Sequence, residues 1–251
     1  MGTMGRVAVV TGGASGMGLA IARQLAARGD RVGVLDLQGE AALRAAAELR
    51  DSGAAAIGVE ADVTDRKAVD RALDKVRAEL GPVAIMVTSA GLDAFERFAD
   101  ITIESWERIL AVNLTGTFHC LQAAVPDMLQ ARWGRIVTIS SSSAQSGAPR
   151  MGHYAAAKAG VIGLTRALAL EYARKGITVN VVTPGMIDTP MLRRAATGGD
   201  IGAVEKTAAS AVPIGRAGTP EEIAATCGFL CSDEAAFITG QVVGVNGGMV
   251  L

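Results

Sequence analysis

Tyr154 and Lys158 stand four residues apart at the head of an Ala-rich stretch with a helical pattern. That spacing puts both side chains on one helical face. An ammonium near a phenol favours the phenolate, so Lys158 is expected to lower the Tyr154 pKa from about 10. A tyrosine tuned in this way can exchange a proton with an alcohol or a carbonyl near neutral pH. Upstream, the apolar run Arg135-Ile-Val-Thr-Ile reads as a buried strand, and Ser141 follows its end. From there Ser141 can hydrogen-bond the same substrate oxygen. The competing reading is a surface Tyr and Lys on an ordinary helix. For a Y-x-x-x-K pair taken alone that reading weighs more, because the spacing is common by chance.

A second constellation lies near the N-terminus. Val7-Ala-Val-Val is a short β-branched run, and Thr11-Gly-Gly-Ala-Ser-Gly-Met-Gly follows at once. Gly12, Gly16 and Gly18 in a strand-to-helix turn allow positive φ and let the backbone approach a pyrophosphate. The helix N-terminus then offers amide donors to the phosphates, and Ser15 can add a hydroxyl. A bare glycine triplet often marks only a tight turn. Between a first strand and a helix it points to a dinucleotide. Asp36 closes the next apolar run, where a carboxylate can accept from the ribose hydroxyls of NAD. Without the glycine turn it would read as a turn or cap residue. Asp62 either reaches the adenine amino group or caps the helix that follows. Asn113 is an asparagine in a helix interior, which is mildly unfavourable. It is exposed or bonded to backbone, and a functional role requires Tyr154 and Lys158 nearby. His119 and His153 have no Ser-His-Asp or metal-ligand arrangement around them, so neither is read as catalytic and no metal is expected.

These residues need a frame. Strands are expected at Val7–Val10, Val32–Asp36, Ala55–Val59, Val83–Val87, Ile136–Ile139, Ile177–Val182 and Gln241–Val245. Helices are expected from the glycine turn to about Arg28, closed by Gly29-Asp30, then at Glu40–Arg50, Asp65–Leu80, Ile103–Gln130, Gly152–Arg174 and Pro220–Cys231. Pro126 should kink or break the fourth of these. Residues 186–218 should be irregular or weakly helical. Strands alternating with helices imply an α/β fold, a doubly wound parallel sheet with helices on both faces. No linker, repeat or low-complexity tract divides the chain, so 1–251 reads as one domain.

Composition narrows the classes. Half the residues are apolar, so a sizeable core is within reach, and few aromatics with many Ala, Val and Gly favour helix-on-sheet packing. A formal charge of −1 without a long run of like charge gives no sign of nucleic acid or an anionic membrane. Cys120, Cys227 and Cys231 form no disulfide or zinc pattern and read as core residues in a reducing cytoplasm. The N-terminus enters a strand without a signal peptide, and Arg6 stands where myristoylation needs Ser or Thr. The glycines within Val7–Ala22 exclude a membrane span.

Taken together the motifs resemble the short-chain dehydrogenase/reductase family. The resemblance rests on Thr11-Gly-x-x-x-Gly-x-Gly18, Asp62-Val63, Asn113, Ser141, Tyr154-x-x-x-Lys158 and Pro184-Gly185, in the family's order and spacing over essentially the whole chain. It implies a seven-stranded Rossmann-type sheet, a homotetramer and a nicotinamide cofactor. It implies that Tyr154 is the general acid/base, that Ser141 holds the substrate oxygen, and that Lys158 tunes Tyr154 and binds the nicotinamide ribose. Asn113 would support a water linking Lys158 to a proton relay. Gly12, Ser15, Gly16, Met17, Gly18, Asp36, Leu37, Asp62, Val63, Ser89, Ala90 and Gly91 would border the cofactor, with Pro184, Gly185, Ile187 and Thr189 beside the nicotinamide. One departure stands out: Thr88-Ser89-Ala-Gly replaces the family's Asn-Asn-Ala-Gly, and Ser89 can make only part of an asparagine's hydrogen bonds.

Within the family the chain looks most like β-ketoacyl-acyl-carrier-protein reductases and hydroxyacyl-CoA dehydrogenases. The former dock an acidic carrier through basic residues, and Arg132 and Lys175 fall at similar places, although two cations at helix ends are also ordinary solvated charges. Residues 186–212 would be the substrate lid, with Met186, Met191, Leu192, Ile201 and Val204 beside Arg193, Arg194 and Lys206. Such a lid suits an acyl thioester, a cyclic ketone or a hydroxysteroid. The expected activity is interconversion of a secondary alcohol and a ketone with NAD, and less with NADP because no cation adjoins Asp36. A non-catalytic nucleotide-binding regulator would show a damaged set of active residues, and none is missing. A sugar-nucleotide epimerase would need a larger C-terminal domain.

Overall fold

A computed structural model describes residues 5–195 and 201–251, without the side chains of 194–195 and 201–205. The elements run β1 (Val7–Thr11), α1 (Gly16–Ala27), β2 (Arg31–Asp36), α2 (Gly39–Asp51), β3 (Ala56–Glu60), α3 (Arg66–Leu80) and β4 (Val83–Thr88). Then come α4 (Ile103–Leu110), α5 (Gly116–Ala131), β5 (Gly134–Ile139), α6 (Ser143–Ser146), α7 (Gly152–Tyr172) and β6 (Ile177–Pro184). The chain closes with α8 (Pro190–Ala195), α9 (Ile201–Ala211), α10 (Pro220–Leu230) and β7 (Val242–Val245). All seven strands pair in parallel in the order β3-β2-β1-β4-β5-β6-β7. The chain direction reverses across the sheet between β1 and β4. At that switch a crevice opens at the strands' carboxyl ends.

The strands are continuous apolar runs because both of their faces are covered. Ala8 and Val10 pack with Ile21, Leu25, Leu49, Ile223 and Cys227 on one side of the sheet. Val7 and Val9 pack with Leu73, Val76, Cys120, Leu121 and Met128 on the other. All three cysteines are buried as free thiols inside these layers. Burial pushes the Cys120 and Cys231 thiols up to about 12, which removes the thiolate their reactivity would need. Helix ends follow their sequence signals. Gly29 takes φ 90° just past α1, Asp65 caps α3 by accepting from the Lys67 amide, and Thr219 with Glu222 forms a capping box on α10. No helix among the described residues is long and apolar enough to cross a membrane.

One expectation needs correction in part. Pro126 neither breaks nor ends α5, which runs on to Ala131. The Arg77 guanidinium donates to the Ala123 carbonyl (2.7 Å) and to Asp127 (2.9 Å), supplying donors beside the proline that lacks its own. The irregularity lies earlier, at Ala111–Thr115, where the ladder between α4 and α5 widens into one π-turn. Residues 186–218, expected to be irregular or weakly helical, hold two short helices, α8 and α9. Gly198-Gly199 and the side chains of Arg194, Ile201 and Val204 lie outside the described residues.

Candidate active site

The glycine turn forms because β1 must pass into α1 within four residues. Gly12 and Gly16 take φ 62° and 51°, a region L side chains avoid. A Cβ on Gly12 would stand 2.8 Å from the Ala90 Cα, and one on Gly18 2.1 Å from the Gly12 carbonyl oxygen. The turn is therefore closed against the β4 loop on one side and α1 on the other. Ser15 is the N-cap residue of α1 but makes no side-chain cap bond, so its exposed hydroxyl is available at the helix N-terminus. Gly18→Ala should force the turn off the helix, because the obstacle is backbone. We expect a loss of about 1–3 kcal/mol in stability, together with weaker dinucleotide binding. Thermal unfolding and a fluorescence titration with NADH would check both, and unchanged cofactor affinity would count against a tight turn.

A cleft of about 300 Å³ lies over this turn. Gly12, Ser15, Gly16, Met17, Gly18, Asp36, Leu37, Asp62, Val63, Ser89, Ala90 and Gly91 line it, all named above as cofactor neighbours, with Thr189 on the far wall. Asp36 is fixed at its rim: one carboxylate oxygen accepts from the Ala14 amide and the other from the Gln38 amide, both at 3.1 Å. Asp62 accepts from the Thr64 amide and hydroxyl (2.8 and 2.7 Å) and is not a helix cap, a task that falls to Asp65. The bare glycine surface, the amide-rich helix end and a rim carboxylate fit a dinucleotide. Pro184 and Gly185 sit at the end of β6, outside this cleft. The Pro184 carbonyl accepts from the Ser142 amide and the Gly185 amide donates to Val245. Ile187 is buried in the core and lines a second cavity of about 260 Å³ with Met186, Arg216 and Asn246.

The β4 loop shows what replaces the family's paired asparagines. The Ala90 amide donates to the Thr11 hydroxyl (3.2 Å), while the buried Thr88 hydroxyl has no partner among the described residues. Asn113, fully buried in the π-turn, carries the rest: its amide donates to the carbonyls of Leu92 (2.8 Å) and Ile109 (3.0 Å), and its oxygen accepts from the Leu92 amide (3.3 Å). This is the backbone-bonded alternative for an interior asparagine, and it brings the residue to the site. A Cβ on Gly91 would be 3.0 Å from the Asn113 side-chain oxygen and 3.4 Å from Lys158 Nζ.

Four serines at the end of β5 position the reactive pair. The Ser140 hydroxyl donates to the Lys158 carbonyl (2.8 Å), tying the strand end to α7. The Ser141 hydroxyl favours the charged form of the Tyr154 phenol. The Ser142 amide reaches Pro184, and Ser143 bonds Ser141. Lys158 is buried, donates to the Ile139 carbonyl (2.9 Å) and lies 5.8 Å from the centre of the Tyr154 ring. The electrostatics run opposite to the expectation that Lys158 lowers the phenol. Burial pushes Tyr154 up to about 12, opposed by the Ser141 hydrogen bond and reinforced by Asp93. Burial also pulls Lys158 down to about 8. Desolvation disfavours both charged forms here, and the ammonium is directed at a carbonyl rather than at the phenol.

Asp93, Glu96, Ser140 and Ser143 were not singled out by sequence reasoning. The run of four serines was the available signal for the last two. His153 is fully buried beside Tyr154: its Nδ1 accepts from the Tyr154 amide (3.0 Å) and its Nε2 faces Glu96 (3.5 Å), which also accepts from Ser105. Arg132 and Lys175 do not border the cleft. They precede β5 and β6, at the amino ends of the strands opposite Ser141, roughly 20 Å of strand away.

Fold and site together define an oxidoreductase built on a dinucleotide-binding sheet. A family model described as enoyl-(acyl carrier protein) reductase matches residues 12–250. The chain is 41% identical to the 3-oxoacyl-[acyl-carrier-protein] reductase MabA of Mycobacterium tuberculosis, over 97% of this chain and 92% of that one. It is 39% identical to 2-(S)-hydroxypropyl-CoM dehydrogenase 3 of Xanthobacter autotrophicus, over 97% and 96%. A crystal structure of a point variant of actinorhodin polyketide ketoreductase with NADPH superposes with a TM-score of 0.94 at 37% identity, covering 99% of both chains. The chain belongs to the short-chain dehydrogenase/reductase family. Its chemistry is that of a ketoreductase-type oxidoreductase.

Proposed function

We propose that the protein interconverts a 3-oxoacyl thioester and its 3-hydroxy form, with NAD(H) as cofactor. The observation that carries this reading is buried Lys158 beside the Tyr154 ring, next to Gly91 in the wall of a cleft that fits a dinucleotide. A nicotinamide bound there supplies or accepts the hydride. In reduction the Tyr154 phenol gives its proton to the carbonyl oxygen, and the Ser141 hydroxyl holds that oxygen as charge develops on it. Lys158 carries its charge behind the site and replenishes the proton through the Asn113 side. Pro184, Gly185, Ile187 and Thr189 bound the nicotinamide end. Similarity to acyl-carrier-protein reductases supports the thioester and a carrier as its source. A second reading, oxidation of a smaller secondary alcohol, is favoured by similarity to the hydroxypropyl-CoM dehydrogenase. A substrate panel followed at 340 nm, with acetoacetyl-CoA, cyclic ketones, hydroxysteroids and 2-hydroxypropyl thioethers, separates the two. Turnover of none of them would remove both readings.

Residues 186–212 act as the lid, and the protein works as a homotetramer in the cytoplasm. Support for the lid comes from Thr189, Pro190 and Met191, which line the cleft. Arg193 is held by Asp188 at 2.7 and 2.8 Å, so the apolar Met191 and Leu192 are left to meet substrate. Hydrogen exchange over 186–212 should be fast without ligands and slow with cofactor and substrate analogue bound. Equal protection in both states would count against closure.

A further inference from the structure

A hydroxyl has one proton to donate and two lone pairs to accept with. The Ser141 oxygen accepts from the Ser143 hydroxyl at 2.8 Å and from the Ser143 amide at 3.2 Å. Both lone pairs are then occupied, and the one remaining capacity of Ser141 is to donate. Donation from Ser141 favours the charged form of Tyr154, beside which a substrate oxygen would come to lie. Ser143 itself is buried, at 8% exposure, and opens the short α6. The backbone around it is fixed independently: the Ser142 amide donates to Pro184 (2.9 Å), and the Ser146 amide returns to the Ser142 carbonyl (3.1 Å). The geometry is thus held by main chain, and the Ser143 hydroxyl is free to serve Ser141.

We propose that Ser143 is a positioning residue that makes Ser141 an obligate donor. Without it, Ser141 can rotate and accept from the Tyr154 phenol, which turns the dipole at the reacting oxygen the wrong way. With it, the Ser141 proton always faces the position where negative charge appears during carbonyl reduction, so no reorientation is needed at the moment of reaction. This inference rests on the proposed roles of Ser141 and Tyr154.

The test uses the full chain labelled with ¹³Cζ-tyrosine. Tyr154 and Tyr172 are the only tyrosines, so Tyr172→Phe assigns the two signals. Ser143→Ala should move the Tyr154 signal and leave that of Tyr172 in place, and Ser143→Thr should restore it. With acetoacetyl-CoA and NADH, Ser143→Ala should lower kcat about 3- to 10-fold at little changed KM. That is a fraction of the ~10²–10³-fold cost of removing an oxyanion donor, because the donor remains and only its orientation is lost. The limb of the pH profile that follows Tyr154 should move to higher pH, since donation from Ser141 favours the phenolate. In a Ser141→Ala background, Ser143→Ala should do nothing further. An unmoved Tyr154 signal in Ser143→Ala, or additive effects in the double variant, would overturn the proposal. If Tyr154→Phe keeps its activity, the underlying functional reading fails instead.

Discussion

Tyr154→Phe should lower kcat by ~10²–10⁴, the range typical of a lost general acid or base, while the protein still folds and binds cofactor. The phenol hydroxyl is not part of the core, so its removal leaves the packing of α7 intact. The pH dependence follows from the direction of the shift. With the phenol pushed up to about 12, its proton is present throughout the neutral range. Ketone reduction, which consumes that proton, should be nearly flat from about pH 6 to about pH 8. Alcohol oxidation needs the phenolate, whose fraction grows about tenfold per pH unit below the pKa, so it should climb over the same interval. Above about 8, Lys158 gives up its own charge and the climb should lessen. Near wild-type turnover in Tyr154→Phe would sink the mechanism.

Cofactor choice should be as sharp. No lysine or arginine lines the cleft among the described residues, whereas Asp36 and Asp62 both do. Asp36 accepts two backbone amides and keeps capacity for ribose hydroxyls. A 2′-phosphate would bring a second anion against a carboxylate that cannot swing away. At an effective dielectric near 20, two unit charges about 4 Å apart repel by ~4 kcal/mol. Solvent at the open rim reduces this, and we expect kcat/KM to favour NADH over NADPH by about 10²-fold. Asp36→Ala with Leu37→Arg should reverse the preference, because Leu37 is 66% exposed beside the cleft and an arginine there can meet the phosphate. A wild-type preference for NADPH would show that Asp36 does not face the ribose.

Much of this frame was legible because parallel strands covered on both faces leave unbroken apolar runs, and because a glycine turn between strand and helix has few alternatives. The spacing of Tyr154 and Lys158 likewise fixed a shared helix face. Other features had no local signature. The contact of Glu96 with His153 joins residues far apart in sequence. The bond from Asn113 to Leu92 depends on a backbone ladder that composition does not encode. The direction of the Tyr154 shift depends on burial and on which partner Lys158 chooses, and neither is set by a four-residue spacing. Pro126 lies inside α5 without ending it, an outcome that a proline alone does not set.

The π-turn at Ala111–Thr115 also governs how this stretch tolerates changes in length. It holds one residue more than a regular helix would use, and the surplus is taken up without a loop. Deleting one residue there would let an ordinary helix run from Ile103 to Ala131. The faces of α4 and α5 would stay nearly as they are, because a π-turn takes up its extra residue within one wider turn. Ile109 would stay in the core and Ser105 on Glu96, and the change would fall on the widened turn itself, where Asn113 bonds the Leu92 backbone. A shortening that spares the packing of both helices would here cost the site its Asn113 contacts. The length of this segment is therefore as much a part of the site as any of its side chains.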